Sequence, residues 1–200
     1  MLSLLTGSPL LFLFFVVVFV MSISAHEFAH ALAADLLGDP TPRYSGRLTL
    51  NPLAHLDFLG TVLILLVRFG WGKPVPINSA NFKKPLRDSA VVSIAGPTAN
   101  FILAVVFALV LHLLPVSYTG TAFIYLIIVF NLTLGIFNLL PIFPLDGFTV
   151  VQGLLPIDLA MKWEGLRSYG VYILLILIVT GTTGFLILAP VGFVLKLLGL

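Results

Sequence analysis

Residues 10–25 read LLFLFFVVVFVMSISA, an apolar run that carries no charge before it reaches His26 and Glu27. Runs of this kind narrow the possible folds sharply. In hydrocarbon every backbone N–H and C=O must be bonded within the protein, so only helices and closed barrels cross a bilayer. A spanning helix needs about 20 mostly apolar residues, whereas a barrel strand shows short alternating ones. The long continuous runs here therefore predict helices. Composition agrees: charged residues make up 9% of the 200-residue chain. Soluble domains carry roughly 25%, so the charges are too few to clothe a surface facing water.

The first run continues through HEFAHALAADLLG and predicts a helix from Pro9 to Leu37, stopped by Gly38-Asp39-Pro40. Residues 1–9 carry no basic side chain, so the charged start of a signal peptide is missing and the helix reads as retained. Residues 41–54 mix turn formers with a short alternation, RLTL, which predicts a small strand or an ordered loop at the bilayer surface. Residues 55–70 hold a weaker run. Only Phe58–Val67 is uncharged, about half the length of a span, which marks a re-entrant or interfacial segment. Residues 71–88 form a basic, proline-containing loop. Residues 89–114 and 120–140 are long enough to span, and the short link PVSYT makes them antiparallel neighbours. Residues 141–168 predict a polar-edged stretch with a short helix. Residues 169–190 predict a last span whose Gly and Thr allow close packing. The expected fold class is all-α: a polytopic transmembrane helical bundle, one domain over 1–200, with a short strand or ordered loop and a re-entrant or interfacial segment.

The sharpest local feature is His26-Glu27-Phe28-Ala29-His30, an HExxH motif. On a helix, positions i and i+4 share one face, so both imidazoles reach the same metal ion. Glu27, beside the first ligand, is placed to act as general base on a metal-bound water. The bland reading is a structural polar cluster. It is the weaker one, because ionisable residues inside a membrane helix are costly and mark function. The chain has no cysteine, so any metal is held by histidines and carboxylates. Catalytic zinc usually takes three protein ligands. From the residues alone the third stays open among His55, His112, Asp57, Asp146 and the remaining carboxylates. His112, near the end of an apolar run, reads better as an interface residue. Asp35 and Asp39, where the first helix ends, read as caps or solvated residues. Asp146 stands out as a lone acid in an apolar neighbourhood, PIFPLDGF.

Three stretches together resemble the site-2 protease family of intramembrane zinc metalloproteases (peptidase family M50), in its short, PDZ-less prokaryotic form. His26-Glu27-Phe28-Ala29-His30 is similar to the family's zinc motif. Gly96-Pro97-Thr98-Ala99-Asn100 is similar to its GPxxN stretch. Asn138-Leu139-Leu140-Pro141 with Leu145-Asp146-Gly147 is similar to its NxxPxxxLDG motif. A further stretch, Asn51-Pro52-Leu53-Ala54-His55-Leu56-Asp57, resembles one seen in the short subgroup. The resemblance implies one Zn2+ ion held by His26, His30 and Asp146, with Glu27 as general base and Asn138 positioning the substrate. It implies that Gly96, Pro97 and Asn100 shape the packing beside the zinc helix; a mere helix irregularity is the alternative for Gly96 and Pro97. His55 and Asp57 inherit no role; structural support is expected first and support of the zinc ligands second. The chain shows neither a PDZ domain nor a helix before the zinc helix, which leaves recognition and gating undefined.

Topology follows from requiring the half-sites to meet. If 55–70 crossed fully, three crossings would separate His30 from Asp146 and put them on opposite faces. Without that crossing they share a face, along with Arg43, Arg47, Arg68, Lys73, Lys83, Lys84, Arg87, Lys162 and Arg167, while Lys196 lies opposite. The positive-inside rule makes the shared face cytoplasmic. The expectation is four spans plus the re-entrant or interfacial segment, both termini outside, in a multi-pass cell-membrane protein. The expected partners are the bilayer and a transmembrane protein substrate. The net charge of +2 argues against nucleic acid. The oligomeric state is not encoded legibly. The competing reading is a non-proteolytic membrane metal-binding or transport protein, which has no need of Glu27 beside the first histidine.

Overall fold

Proline at the first helical position costs nothing, because its missing N–H is an orphan there anyway. Two of the long helices begin this way. A computed structural model describes residues 8–58, 60 and 72–200. Helix α1 runs Pro9–Leu36, and α3 runs Pro85–Leu113. Between them lies α2, Thr41–Tyr44. Helix α4, Tyr118–Asn138, starts at Ser117, whose hydroxyl accepts from the Gly120 N–H. After it come α5 (Asp146–Leu154), α6 (Ile157–Glu164), α7 (Arg167–Val179) and α8 (Thr182–Leu197). Helices α1, α3 and α4 are each long and apolar enough to cross a membrane. Their bounds fall within a few residues of the expected ones.

In lipid, helices associate by close packing rather than by apolar burial, so small residues set the contacts. Ala104 and Ala108 of α3 do this, receiving Ile128 and Leu132 of α4 and Ile187 and Val191 of α8. Helix α1 packs on α4 through aromatic rings: Phe130 meets Phe15 and Phe19 edge-on, with centroids 5.8 and 6.2 Å away. At the other end Ala34 of α1 packs with Phe82 and with Val92 of α3.

The last expected span, 169–190, is corrected. It is two helices, α7 and α8, bent by 79°. Among the Gly and Thr residues that suggest close packing, Gly170 does pack closely, since a Cβ there would lie 2.5 Å from Phe143 O, whereas Thr180 and Gly181 end one helix before the next begins. Thr180 Oγ1 bonds back to Ile176 O at 2.8 Å, and Gly181 takes φ 74°, a left-handed conformation that terminates a helix. The pair still runs from one end of the bundle to the other. Arg167 lies over the Phe143 ring, and Gly199 lies beside His112. Counted as one span, the bent pair brings the helices long and apolar enough to cross a membrane to four.

The RLTL stretch is an ordered loop; among the described residues the only strand-like pairing is a bridge between Leu56 and Gly72. The heart of the expected re-entrant or interfacial segment, residues 59 and 61–71, lies outside the described residues. Its flanks are held together: Lys73 N–H donates to His55 O at 2.8 Å. Arg47, buried, donates from one guanidinium to both Ala54 O and Lys73 O. Asp39, expected as a cap or solvated, is a fully buried cap. It accepts from Thr41 N–H and hydroxyl, from Asn81 Nδ2 and from Asn78 N–H. The chain therefore leaves α1 and returns to α3 at the same end of the bundle.

Candidate metal centre

The i, i+4 spacing on α1 stacks His26 and His30 on one face, with their Nε2 atoms 3.0 Å apart. Asp146, the first residue of α5, brings Oδ2 to 3.2 Å from His26 Nε2 and 3.3 Å from His30 Nε2. His55, Asp57 and His112, the other candidates, are not part of this group. Asp146 is held there by backbone packing: a Cβ on Gly147 would lie 2.2 Å from Leu139 O, so α5 begins directly against the end of α4.

Hydrogen bonds fix the protons. Asn100 donates from Nδ2 to Asn131 Oδ1 at 2.8 Å and to Ser22 O at 3.3 Å, so its oxygen must accept. His26 Nδ1–H donates to that oxygen at 2.7 Å. His30 Nδ1–H donates to Val92 O at 2.8 Å. Each Nε2 is then left with a lone pair aimed at the other and at Asp146 Oδ2, which is buried with no hydrogen-bond donor. Three mutually facing acceptors call for a cation among them. A tetrahedral zinc with bonds of about 2.0–2.1 Å separates its ligand atoms by roughly 3.3 Å. The observed 3.0–3.3 Å fits.

Glu27 is half-buried one residue along the helix, and its Oε2 accepts from the Val75 N–H at 3.2 Å. Val75 lies just beyond the flank tied by Arg47 and His55. Burial lowers the Arg47 guanidinium pKa, and the negative charge of Glu27 acts the other way.

Gly96 and Pro97 sit in α3 against the histidines. A Cβ on Gly96 would lie 2.4 Å from His30 Nε2 and 2.7 Å from His26 Cε1. Close approach to the metal face, beyond a simple helix irregularity, accounts for this glycine. Pro97 has no N–H for Ser93 O. Val92, in the same turn, gives its carbonyl to His30.

The remaining candidates lie apart. Asn138, half-buried, donates back to Leu134 O at 3.0 Å and makes no hydrogen bond to His26, His30 or Asp146. His55 is fully buried, with Nε2 on Thr49 O at 2.7 Å. Asp57 Oδ1 accepts from Gly60 N–H at 2.8 Å. His112 Nδ1 bonds Ala108 O within its own helix, and Asp35 pairs with Arg43. Sequence reasoning passed over Asn131 and Ser22. Asn131, fully buried in α4, donates to Ser22 Oγ and to Ile127 O, both at 2.9 Å. The signal was present: a buried asparagine in an apolar helix needs partners, and Ser22 lies one turn before His26.

The family model for Peptidase family M50 matches residues 14–121 and 115–180. A Bacillus subtilis protein named "Putative zinc metalloprotease YwhC" is 44% identical over 176 residues, covering 84% of this chain and 80% of that protein. "Putative zinc metalloprotease Rip2" of Mycolicibacterium smegmatis is 30% identical over 170 residues, covering 80% of this chain and 64% of that protein. "Zinc metalloprotease MJ0392" of Methanocaldococcus jannaschii is 34% identical over 73 residues, covering 36% and 22%. No solved structure matches the chain. The helix-borne histidines, the distant aspartate that meets them and these matches agree, and the chain belongs to peptidase family M50, the intramembrane zinc metalloproteases.

Proposed function

We propose that His26, His30 and Asp146 hold one zinc ion and that the chain, acting as a single domain, hydrolyses peptide bonds within or near transmembrane segments of membrane proteins. The observation that carries this is the trio of facing acceptors, with an orphaned buried carboxylate oxygen between two imidazoles of fixed tautomer. A zinc ion at such a site supplies Lewis-acid polarisation of a carbonyl and makes a water acidic.

Glu27 does the proton work. Its Oε2 is steadied by the Val75 N–H, which leaves Oε1 to hold the attacking water, take its proton and deliver it to the leaving amine. Asn100 and Val92 keep the protons on Nδ1 of both histidines, so neither imidazole competes as a base. Asn138, at the end of the helix leading to Asp146, positions the substrate. His55 and Asp57 act structurally, in the loop region that carries Val75. His30 lies less than two turns from the end of α1, roughly 9 Å along the helix. That depth admits water from one face, which charge bias makes the cytoplasmic one. A substrate helix must unwind locally, because its peptide carbonyls are otherwise bonded and shielded.

The test compares the full chain with Glu27→Gln in vesicles containing a model transmembrane substrate. Cleavage is expected to fall by about 10²–10⁴-fold, with one zinc per chain retained. Normal cleavage by the variant would overturn the mechanism. Metal movement across the vesicle wall without cleavage would instead support a transport protein, which leaves the anchored Glu27 without a task.

A further inference from the structure

We propose that the cleft between the site-side ends of α1 and α3 binds the headgroup of an anionic phospholipid. This rests neither on the metal nor on proteolysis.

The cleft has a volume of about 440 Å³ and is lined by Leu36, Leu37 and Gly38 where α1 ends and by Lys83, Lys84, Arg87 and Asp88 where α3 begins. All three cations are exposed, and none forms an ion pair among the described residues. Elsewhere at this end of the bundle Arg43 is paired with Asp35 and Arg167 with Glu164. The one carboxylate in the cleft, Asp88, is already used: its Oδ2 accepts from the Lys84 N–H at 2.8 Å, closing the first turn of α3. The cleft is thus left net positive, at the start of a helix whose dipole adds to the field.

The apolar surroundings match a lipid better than a free anion. Below Arg87, one and two turns along the same face of α3, lie Val91 and Ile94, 44% and 43% exposed. On α1, Leu36 is 76% exposed, and Leu32, one turn back on the same helix face, is also exposed. Cations at the helix ends, with exposed apolar side chains one to two turns further along each helix, follow the polarity of a phospholipid. Arg87 offers the phosphate a planar fork, and the two lysines offer point charges. A zwitterionic headgroup brings its own cation into this field and is disfavoured. Basic pockets between transmembrane helices bind anionic headgroups by this combination.

The full chain in detergent is titrated with phosphatidylglycerol, with phosphatidylcholine and with inorganic phosphate, and bound ligand is counted by native mass spectrometry. Phosphatidylglycerol is expected to bind tightest. The triple variant Lys83→Gln, Lys84→Gln, Arg87→Gln should lose about a hundredfold in affinity, several-fold per cation. The charge-keeping pair Lys83→Arg, Lys84→Arg should stay close to wild type, separating charge from folding, and Lys162→Gln should be silent. Equal affinity of the triple variant overturns the proposal, as does equal binding of the two lipids. Inorganic phosphate binding as tightly as phosphatidylglycerol would show an anion site and overturn the lipid assignment.

Discussion

Alanine at position 96 probes the metal face at its tightest point. The new Cβ would lie 2.4 and 2.6 Å from two atoms of the His30 ring and 2.7 Å from His26 Cε1, where ordinary contact begins at 3.4 Å. The rings must therefore retreat by about 1 Å, whereas metal–ligand distances hold to about 0.2 Å. Loss of outer support alone lowers metal affinity about 10–100-fold, and displacing two ligands together should reach at least that range. The same substitution favours the helix by about 1 kcal/mol, so thermal stability and metal affinity are expected to part company. Zinc affinity is measured by competition with a calibrated chelator, and unfolding is followed in the same detergent. Gly192→Ala is the control, since a Cβ there meets nothing within 4 Å. If Gly96→Ala kept zinc affinity within about twofold of wild type, the close-approach argument would be refuted.

The buried amide network gives a second expectation. Asn131→Ala removes the acceptor that orients the Asn100 amide, and the zinc dissociation constant should rise about 10–100-fold; unchanged affinity would make the network merely structural. Asp39 gives a pH dependence. Burial alone would raise its carboxyl pKa, but donors from Thr41, Asn78 and Asn81 prevail and hold it below the ordinary 3.8. A depressed carboxylate pKa contributes stability that is full above 3.8 and lost as pH falls through the lower folded value. Melting temperature should drop across that acid window in wild type and change less in Asp39→Asn, which should also melt lower at neutral pH; parallel acid profiles would remove Asp39 from the account.

Long uniform runs made α1, α3 and α4 legible, because hydrocarbon leaves few options for a backbone. The HExxH spacing exposed two of the three candidate ligands, since i and i+4 meet in any helix. Asp146 was singled out as a lone acid, but its meeting with the histidines depends on how α5 butts against α4, which no local pattern encodes. The break at Gly181 was misread because glycine near threonine suits both packing and termination; only φ 74° distinguishes them. Asn131 was passed over as one polar residue in an apolar helix, and its partners lie in α1 and α3.

The proposed metal-ligand set has a consequence for biosynthesis. Two of its members leave the ribosome early, on α1, while Asp146 follows only after α3 and α4 have been made. A histidine pair alone is an incomplete cage, so tight ion capture must wait until α5 docks. Metal uptake then becomes a late checkpoint of assembly, closing a long chain loop only after the bundle between its ends has formed.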